Sequence, residues 1–127
     1  MITIGINHVK WIHEEQIANV GGAGGVRDED LLVSALTSPF QTFGGTELYP
    51  STSAKIARIT YGLVRNHPFM DGNKRTGTEL MMLLLKLNHI VTDISEDELV
   101  DTGLKLGNGT MSAEALQEFI DNKTINQ

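Results

Sequence analysis

The chain has 127 residues, a length that suits a single domain over residues 1–127 with one buried core. It contains no cysteine, which excludes disulfides, thiolate zinc sites and a cysteine nucleophile. Its formal net charge of −6 argues against a nucleic-acid partner, and no apolar run approaches the roughly 20 residues that span a bilayer, so we expect a cytoplasmic protein with no membrane partner.

Turn and cap signals predict about six helices and an all-α fold. We expect the first helix to start at a cap on Asn7 and to stop at Gly21. The second helix is predicted to start at Asp28 and to close at Pro39. Residues 39–50 hold three aromatic side chains around two glycines, which predicts a loop or a small hairpin.

The third helix is predicted to start at Ser51 or Ser53. It ends near Asn66, because Pro68 disfavours helical backbone angles in the residue before it. The fourth helix, over residues 73–87, carries apolar side chains on nearly every side, as a buried central helix does. We therefore expect the fold to pack around it.

The last two predicted helices begin at clear caps. Ser95 and Glu98 match the capping-box pattern and open a fifth helix that stops at residues 107–109. Ser112 is the predicted cap of a short sixth helix. Residues 122–127 follow it and are expected to be frayed.

Five of the ten basic residues lie close together in the sequence. We interpret Lys55, Arg58 and Arg65 as an ordinary solvated helix face. Lys74 and Arg75 stand at a predicted helix start, where unpaired backbone N–H groups and the helix dipole attract negative charge. This position favours a local site for a small anion.

Residues 67–77 read HPFMDGNKRTG and bring several reactive side chains to that helix start. A histidine changes its protonation near neutral pH, so His67 is the candidate general base. Asp71 lies just before the helix, where a carboxylate suits Mg²⁺ held against phosphate oxygens. The candidate nucleotide- and phosphate-binding residues are Gly72, Asn73, Lys74 and Arg75.

This run resembles the signature of the Fic/Doc family, His-x-Phe-x-(Asp/Glu)-Gly-Asn-(Gly/Lys)-Arg, at every fixed place. The resemblance extends over nearly the whole chain to the Doc-like branch, the death-on-curing toxins, through segments such as 13–16, 26–28, 34–36 and 43–50. It implies the all-helical Fic fold, with the motif between two core helices. It also implies that residues 39–50 form a flap that lines the groove for a target protein.

The resemblance assigns a role to each motif residue. His67 takes the proton from a Ser, Thr or Tyr hydroxyl of the target, and Asp71 holds Mg²⁺. Asn73 and Arg75 bind the phosphates of ATP, the co-substrate. Phe69 is expected to anchor the loop in the core, which is also the ordinary place for a phenylalanine between polar neighbours.

Two positions bear on which part of ATP is transferred. Family members that transfer adenylate typically have Gly at the place of Lys74 and a second Arg at the place of Thr78. This sequence has neither, so the resemblance implies the Doc-like reaction, in which the γ-phosphate goes to elongation factor Tu and growth is arrested. Gly77 replaces the Ala that is common in the branch and predicts a looser first turn.

Other functions stay open at this point. The chain could transfer adenylate to a protein hydroxyl, or it could be a catalytically idle module that binds a peptide. Metal-dependent hydrolysis is disfavoured, because no second histidine follows His13 at the zincin spacing. We interpret His8, His13 and His89 as surface or capping residues.

The resemblance also concerns control. Fic proteins that regulate themselves carry an inhibitory Ser/Thr-x-x-x-Glu-Gly/Asn motif, and these 127 residues contain none. We therefore expect silencing in trans by an antitoxin whose disordered tail folds as a helix beside the flap. The aromatic residues expected to receive it are Phe40, Phe43 and Tyr49.

Overall fold

The computed structural model describes residues 1–125, and the predicted all-α fold is confirmed there. Its helices are α1 (Ile6–Val20), α2 (Glu29–Thr37), α3 (Thr52–Asn66), α4 (Asn73–Leu87), α5 (Glu96–Gly107) and α6 (Ala113–Lys123). A 3₁₀ turn over Ser38–Phe40 follows α2 and leads into an antiparallel hairpin of β1 (Thr42–Phe43) and β2 (Thr46–Glu47). The hairpin occupies the predicted flap. No helix within residues 1–125 has the length and apolar character that crossing a bilayer requires.

Local capping sets most of the helix starts. The predicted caps Asp28, Ser51, Ser95 and Ser112 each accept a hydrogen bond from a backbone N–H in the first turn. The cap expected at Asn7 is wrong. Helix α1 begins at Ile6 with Gly5 as its cap, two residues before the expected cap, because the carbonyl of Gly5 already accepts from the amides of His8 and Val9, which places Asn7 inside the first turn.

One hydrophobic cluster draws buried side chains from all six helices. Helix α3 contacts α2, α4, α5 and α6, whereas α4 keeps Met82 and Leu83 only half-buried. The expectation that α4 alone forms the centre is therefore corrected, since α3 shares that place. The pattern of apolar residues in the sequence does not show that α3 is central, because α3 also buries polar side chains, among them Lys55 and Thr60.

Residues 123–125 pair with the segment before α5. Ile125 donates a backbone hydrogen bond to Val91, and Asp93 donates one to Lys123. The expected fraying is thus wrong for residues 122–125, while residues 126 and 127 lie outside the described part. Lys123 also forms an ion pair with Glu98, and its hydrogen bond lowers the pKa of that carboxyl below its ordinary value.

Arg58 and Arg65, two of the three basic residues predicted to form a solvated helix face, have specific partners. Arg58 is half-buried, pairs with Glu114 at 2.9 Å and lies 4.7 Å above the ring of Tyr49. Arg65 is exposed, as predicted, and its guanidinium donates to the carbonyl of Gly107 at 3.0 Å. Arg65 therefore caps the carboxyl end of α5, where a cation is favourable.

Gly77 lies buried where α4 crosses α3. A Cβ added there would lie 2.9 Å from Cγ2 of Val64, closer than a packed side chain allows. Gly103, in the interior of α5, has more room, because its added Cβ would meet Cγ2 of Thr78 at an ordinary 3.5 Å. Gly77 is thus needed for the close approach of the two helices.

We predict opposite effects of alanine at these two glycines. Gly103→Ala should raise the free energy of unfolding by about 0.5–1 kcal/mol, the usual gain in helix propensity. Gly77→Ala should lower it by roughly 1 kcal/mol, because displacing Val64 outweighs that gain. Urea denaturation followed by circular dichroism measures both. An equal stabilisation by the two substitutions would show that α3 and α4 have slack at Gly77.

Candidate active site at the α3–α4 junction

The loop between α3 and α4 has a left-handed residue at each end. His67 ends α3 with φ 50° and ψ 55°, and Gly72 precedes α4 with φ 76°. Pro68 excludes the right-handed helical region for His67, and the left-handed conformation costs a non-glycine residue about 1 kcal/mol. The bend turns the exposed His67 side chain out of the helix end.

A short backbone pairing holds the loop from one side. Val26 forms an antiparallel bridge with Phe69. Around it, the Pro68 carbonyl accepts from the amides of Arg27 and Asp28, at 2.7 and 3.0 Å, and Met70 donates to Gly25 at 3.0 Å. The segment before α2 therefore lies along the loop like a second strand.

Arg27 adds a side-chain contact at the start of the loop. Its Nε donates to the carbonyl of His67 at 2.6 Å, and its Nη2 donates to the carbonyl of Asn66 at 2.8 Å. Both carbonyls lie at the end of α3, where backbone carbonyl groups have no hydrogen-bond partner within the helix. Arg27 thus fixes the backbone of His67 and leaves its imidazole exposed.

The side chain of Asn73 bonds to the backbone of the loop on its buried side. Its Oδ1 accepts from the amide of Phe69 at 3.0 Å, and its Nδ2 donates to the carbonyl of Phe69 at 3.1 Å. Asn73 is buried and its side-chain amide makes these two bonds, while its backbone N–H lies in the first turn of α4, where amides have no partner within the helix. Phe69 is 1% exposed, which confirms the predicted core anchor.

The carboxylate of Asp71 is exposed at the start of α4. Its Oδ1 accepts from the amide of Gly72 at 2.9 Å, and its Oδ2 lies 3.4 Å from the amide of Ala23. Gly22 has no room for a side chain here, because an added Cβ would lie 2.7 Å from that Oδ2. The glycines after α1 therefore let the chain pass close to the acidic group.

The donor set fits Mg²⁺ only together with a ligand. Within residues 1–125 there is no group of three or more His, Asp or Glu side chains that could hold a metal ion. Mg²⁺ usually takes one or two carboxylates and completes its octahedron with phosphate oxygens and water. An exposed single carboxylate beside an open groove is suited to that arrangement.

His13 is a site residue that the sequence interpretation missed. It was assigned to the surface or to a cap, which is wrong, because it is 1% exposed. Its ring stacks on Phe69 at 3.9 Å between centroids, and its Nε2 lies 2.7 Å from the carbonyl oxygen of Asp71. The spacing of four residues from Val9 to His13 to Ile17 was the available signal, since it places all three on one helix face.

All six predicted site residues line one open groove of about 780 Å³. The loop and the first turn of α4 supply His67, Asp71, Gly72, Asn73, Lys74 and Arg75. The end of α1 and the middle of α5 supply apolar walls, with Val20, Val100 and Leu104 exposed there. The groove therefore combines a cationic helix start, an imidazole and three carboxylates, those of Asp71, Glu79 and Glu96, with apolar walls.

The flap is tied to the helix that ends at His67. Lys55 of α3 is 5% exposed, so the reading of this residue as solvated is wrong. Its ammonium donates to the carbonyl of Tyr49 and pairs with Glu47 at 3.0 Å. At the hairpin tip Phe43 is 80% exposed. The base of the flap is therefore fixed while its tip presents an uncovered aromatic ring.

Comparison with known proteins agrees with this geometry. The sequence profile of the Fic/DOC family matches residues 3–85, a segment that contains the flap, the loop and most of α4. The chain belongs to the Fic/DOC family. It is also 36% identical over 83 residues to a protein named Toxin Doc from Mycolicibacterium smegmatis, and this alignment covers 64% of each protein.

Lys74 distinguishes this Fic/DOC site from the Gly-containing version of the signature. The Lys74 side chain lies across α5, where a Cβ at Gly107 would clash with its Cε. Thr78 is buried and its hydroxyl donates to the carbonyls of Lys74 and Arg75, at 3.1 and 3.2 Å. Thr78 therefore adds no positive charge to the groove.

We predict that the side chain of Asn73 matters for folding before any ligand binds. Asn73→Ala leaves the buried amide and carbonyl of Phe69 without partners, which should lower the free energy of unfolding by about 2–4 kcal/mol. Arg75→Ala is the matched control from the same turn, and because Arg75 is exposed its effect should stay within about 0.5 kcal/mol. Denaturation without nucleotide measures both, and equal stabilities would contradict the role of Asn73 as a clamp.

Proposed function

We propose that this Fic/DOC chain is a Doc-type toxin that transfers the γ-phosphate of ATP to a hydroxyl of a target protein in the cytoplasm. Elongation factor Tu is the expected target, and growth arrest is the consequence. The observation that carries the proposal is the groove itself, in which His67 and Asp71 stand beside the amino-terminal turn of α4. Such a turn is a ready site for phosphate groups.

The proposed reaction is an in-line displacement at the γ-phosphorus. The target hydroxyl oxygen bonds to that phosphorus while its proton passes to the imidazole of His67, and the bond to the β–γ bridging oxygen breaks to release ADP. The imidazolium then returns its proton to solvent. Among the described residues, none hydrogen-bonds the ring of His67, so both ring nitrogens are open to a substrate.

The other residues act on the phosphates. Backbone N–H groups of the first turn of α4 bind phosphate oxygens, and Lys74 and Arg75 offset the negative charge of the transferring group. Asp71 would hold Mg²⁺, which supplies charge neutralisation on the phosphates when bound. Arg27 and Asn73 keep the loop backbone in place, so little reorganisation is needed at the moment of reaction.

Two features favour phosphoryl over adenylyl transfer. Lys74 replaces the glycine of the adenylate-transferring pattern, and the buried hydroxyl of Thr78 replaces that pattern's second arginine. Both changes alter how the distal phosphates of ATP can seat. A purely peptide-binding module has no need for the exposed His67 beside Asp71.

We expect the label of [γ-³²P]ATP, and not that of [α-³²P]ATP, to enter one protein of a bacterial lysate. His67→Ala should lower the rate by about 10²-fold or more, because it removes the general base. His8→Ala is the control, since it removes an exposed histidine outside the groove and should retain activity. Labelling from the α position alone would replace this proposal with adenylyl transfer.

The proposal includes a cognate antitoxin that acts in trans. The flap exposes Phe40, Phe43 and Leu48, a small apolar surface that suits the apolar face of a partner helix. Ordering a disordered tail costs free energy, so the complex must bury enough of this surface to offset it.

Growth in bacteria tests the toxin part. The native chain expressed alone should arrest growth, His67→Ala should not, and co-expression of the neighbouring gene of its operon should relieve the arrest. Phe43→Ser should weaken that relief by removing apolar contact at the flap tip. Harmless expression of the soluble, folded native chain would contradict the toxin function while leaving family membership intact.

A further inference from the structure

His13 is a buried polar residue without a role in the proposed reaction. It comes from α1, lies 1% exposed and reaches two residues of the active-site loop. Its ring face stacks on Phe69 with an interplanar angle of 7°. Its edge directs Nε2 to the carbonyl oxygen of Asp71 at 2.7 Å.

Packing by itself does not require an imidazole at this place. A carbonyl oxygen can only accept, so Nε2 must carry a hydrogen and donate it. Burying a polar ring costs free energy that an apolar side chain of similar size avoids. What the imidazole adds beyond a phenyl ring is therefore the hydrogen bond to Asp71.

That hydrogen bond acts on the position of a carboxylate. With its carbonyl held by His13, the backbone of Asp71 cannot rotate freely, and its Oδ1 is held in turn by the amide of Gly72 at 2.9 Å. Ile17 and His13 also fill the space beside Gly72, where an added Cβ would meet them at 3.3 and 3.7 Å. The exposed carboxylate thus projects from a backbone that α1 holds on its buried side.

We propose that His13 is a positioning residue that orients Asp71 for the metal–nucleotide complex. The inference rests on the proposed function, which assigns Mg²⁺ to Asp71. His13 touches neither metal nor nucleotide and acts through the backbone of Asp71. Groups that orient metal ligands in this way typically contribute about 10- to 100-fold to metal affinity.

The test compares Mg²⁺-dependent binding of the non-hydrolysable ATP analogue AMP-PNP by isothermal titration calorimetry. His13→Phe keeps the stacking and removes the donor, so the Mg²⁺ concentration for half-maximal enhancement should rise about tenfold, with metal-free affinity within twofold of native. His13→Leu removes the same donor with a smaller side chain and is measured alongside. His13→Gln keeps a donor and should shift the Mg²⁺ requirement less.

Ile120→Val is the matched control for stability. Ile120 is buried in α6, outside the loop, and its variant should lower the melting temperature without changing the Mg²⁺ requirement. An unchanged Mg²⁺ requirement in folded His13→Phe and His13→Leu, or an equal loss of affinity with and without Mg²⁺, would overturn the positioning role alone. Absence of Mg²⁺-dependent binding by the native chain would overturn the proposed function and this inference together.

Discussion

The ring of Phe69 is stacked on His13 in the core, and its backbone amide and carbonyl are both bonded to Asn73. These contacts join α1, the loop and the start of α4 at one buried point. Removing the ring would leave the side chain of His13 without its stacking partner and the loop without its anchor. The placement of His67 and Asp71, on either side of Phe69, therefore depends on this one residue staying in the core.

The groups proposed to meet the substrate are exposed, while the backbone that carries them is bonded on its buried side. His67 is held by Arg27 through its carbonyl, and Asp71 is held by His13 through its carbonyl. This division leaves the side chains of His67 and Asp71 exposed while their backbone is held, and under the proposed function it would limit the reorganisation needed in the transition state. The flap shows the same division, because Lys55 bonds to its base while the side chain of Phe43 at its tip is exposed.

Positive charge is concentrated at one place in this chain, although the chain as a whole is acidic. The net charge is −6, yet Lys74 and Arg75 lie together at the amino-terminal turn of α4. The helix dipole and the unpaired N–H groups add positive potential at the same point. This local concentration of positive groups suits the small anionic ligand proposed above, whereas the net negative charge of the chain disfavours a long nucleic-acid backbone.

The helix caps at Asp28, Ser51, Ser95 and Ser112 are predictable from the sequence, because capping joins groups within one turn. The sequence also indicates the six candidate site residues, because they are contiguous at a helix start. Their roles as base, metal ligand and phosphate binders stay predictions.

The residues from elsewhere in the chain that hold the active-site loop are known only from the packed structure. His13 lies 58 residues before Asp71, and Arg27 lies 40 residues before His67. The helical spacing of His13 indicates which face it lies on, but local patterns carry no information on such distant pairs, so the partners of His13 and Lys55 are not predictable from the sequence. A polar side chain is buried when a partner from elsewhere in the chain satisfies it, and that partner becomes known only when the helices have packed.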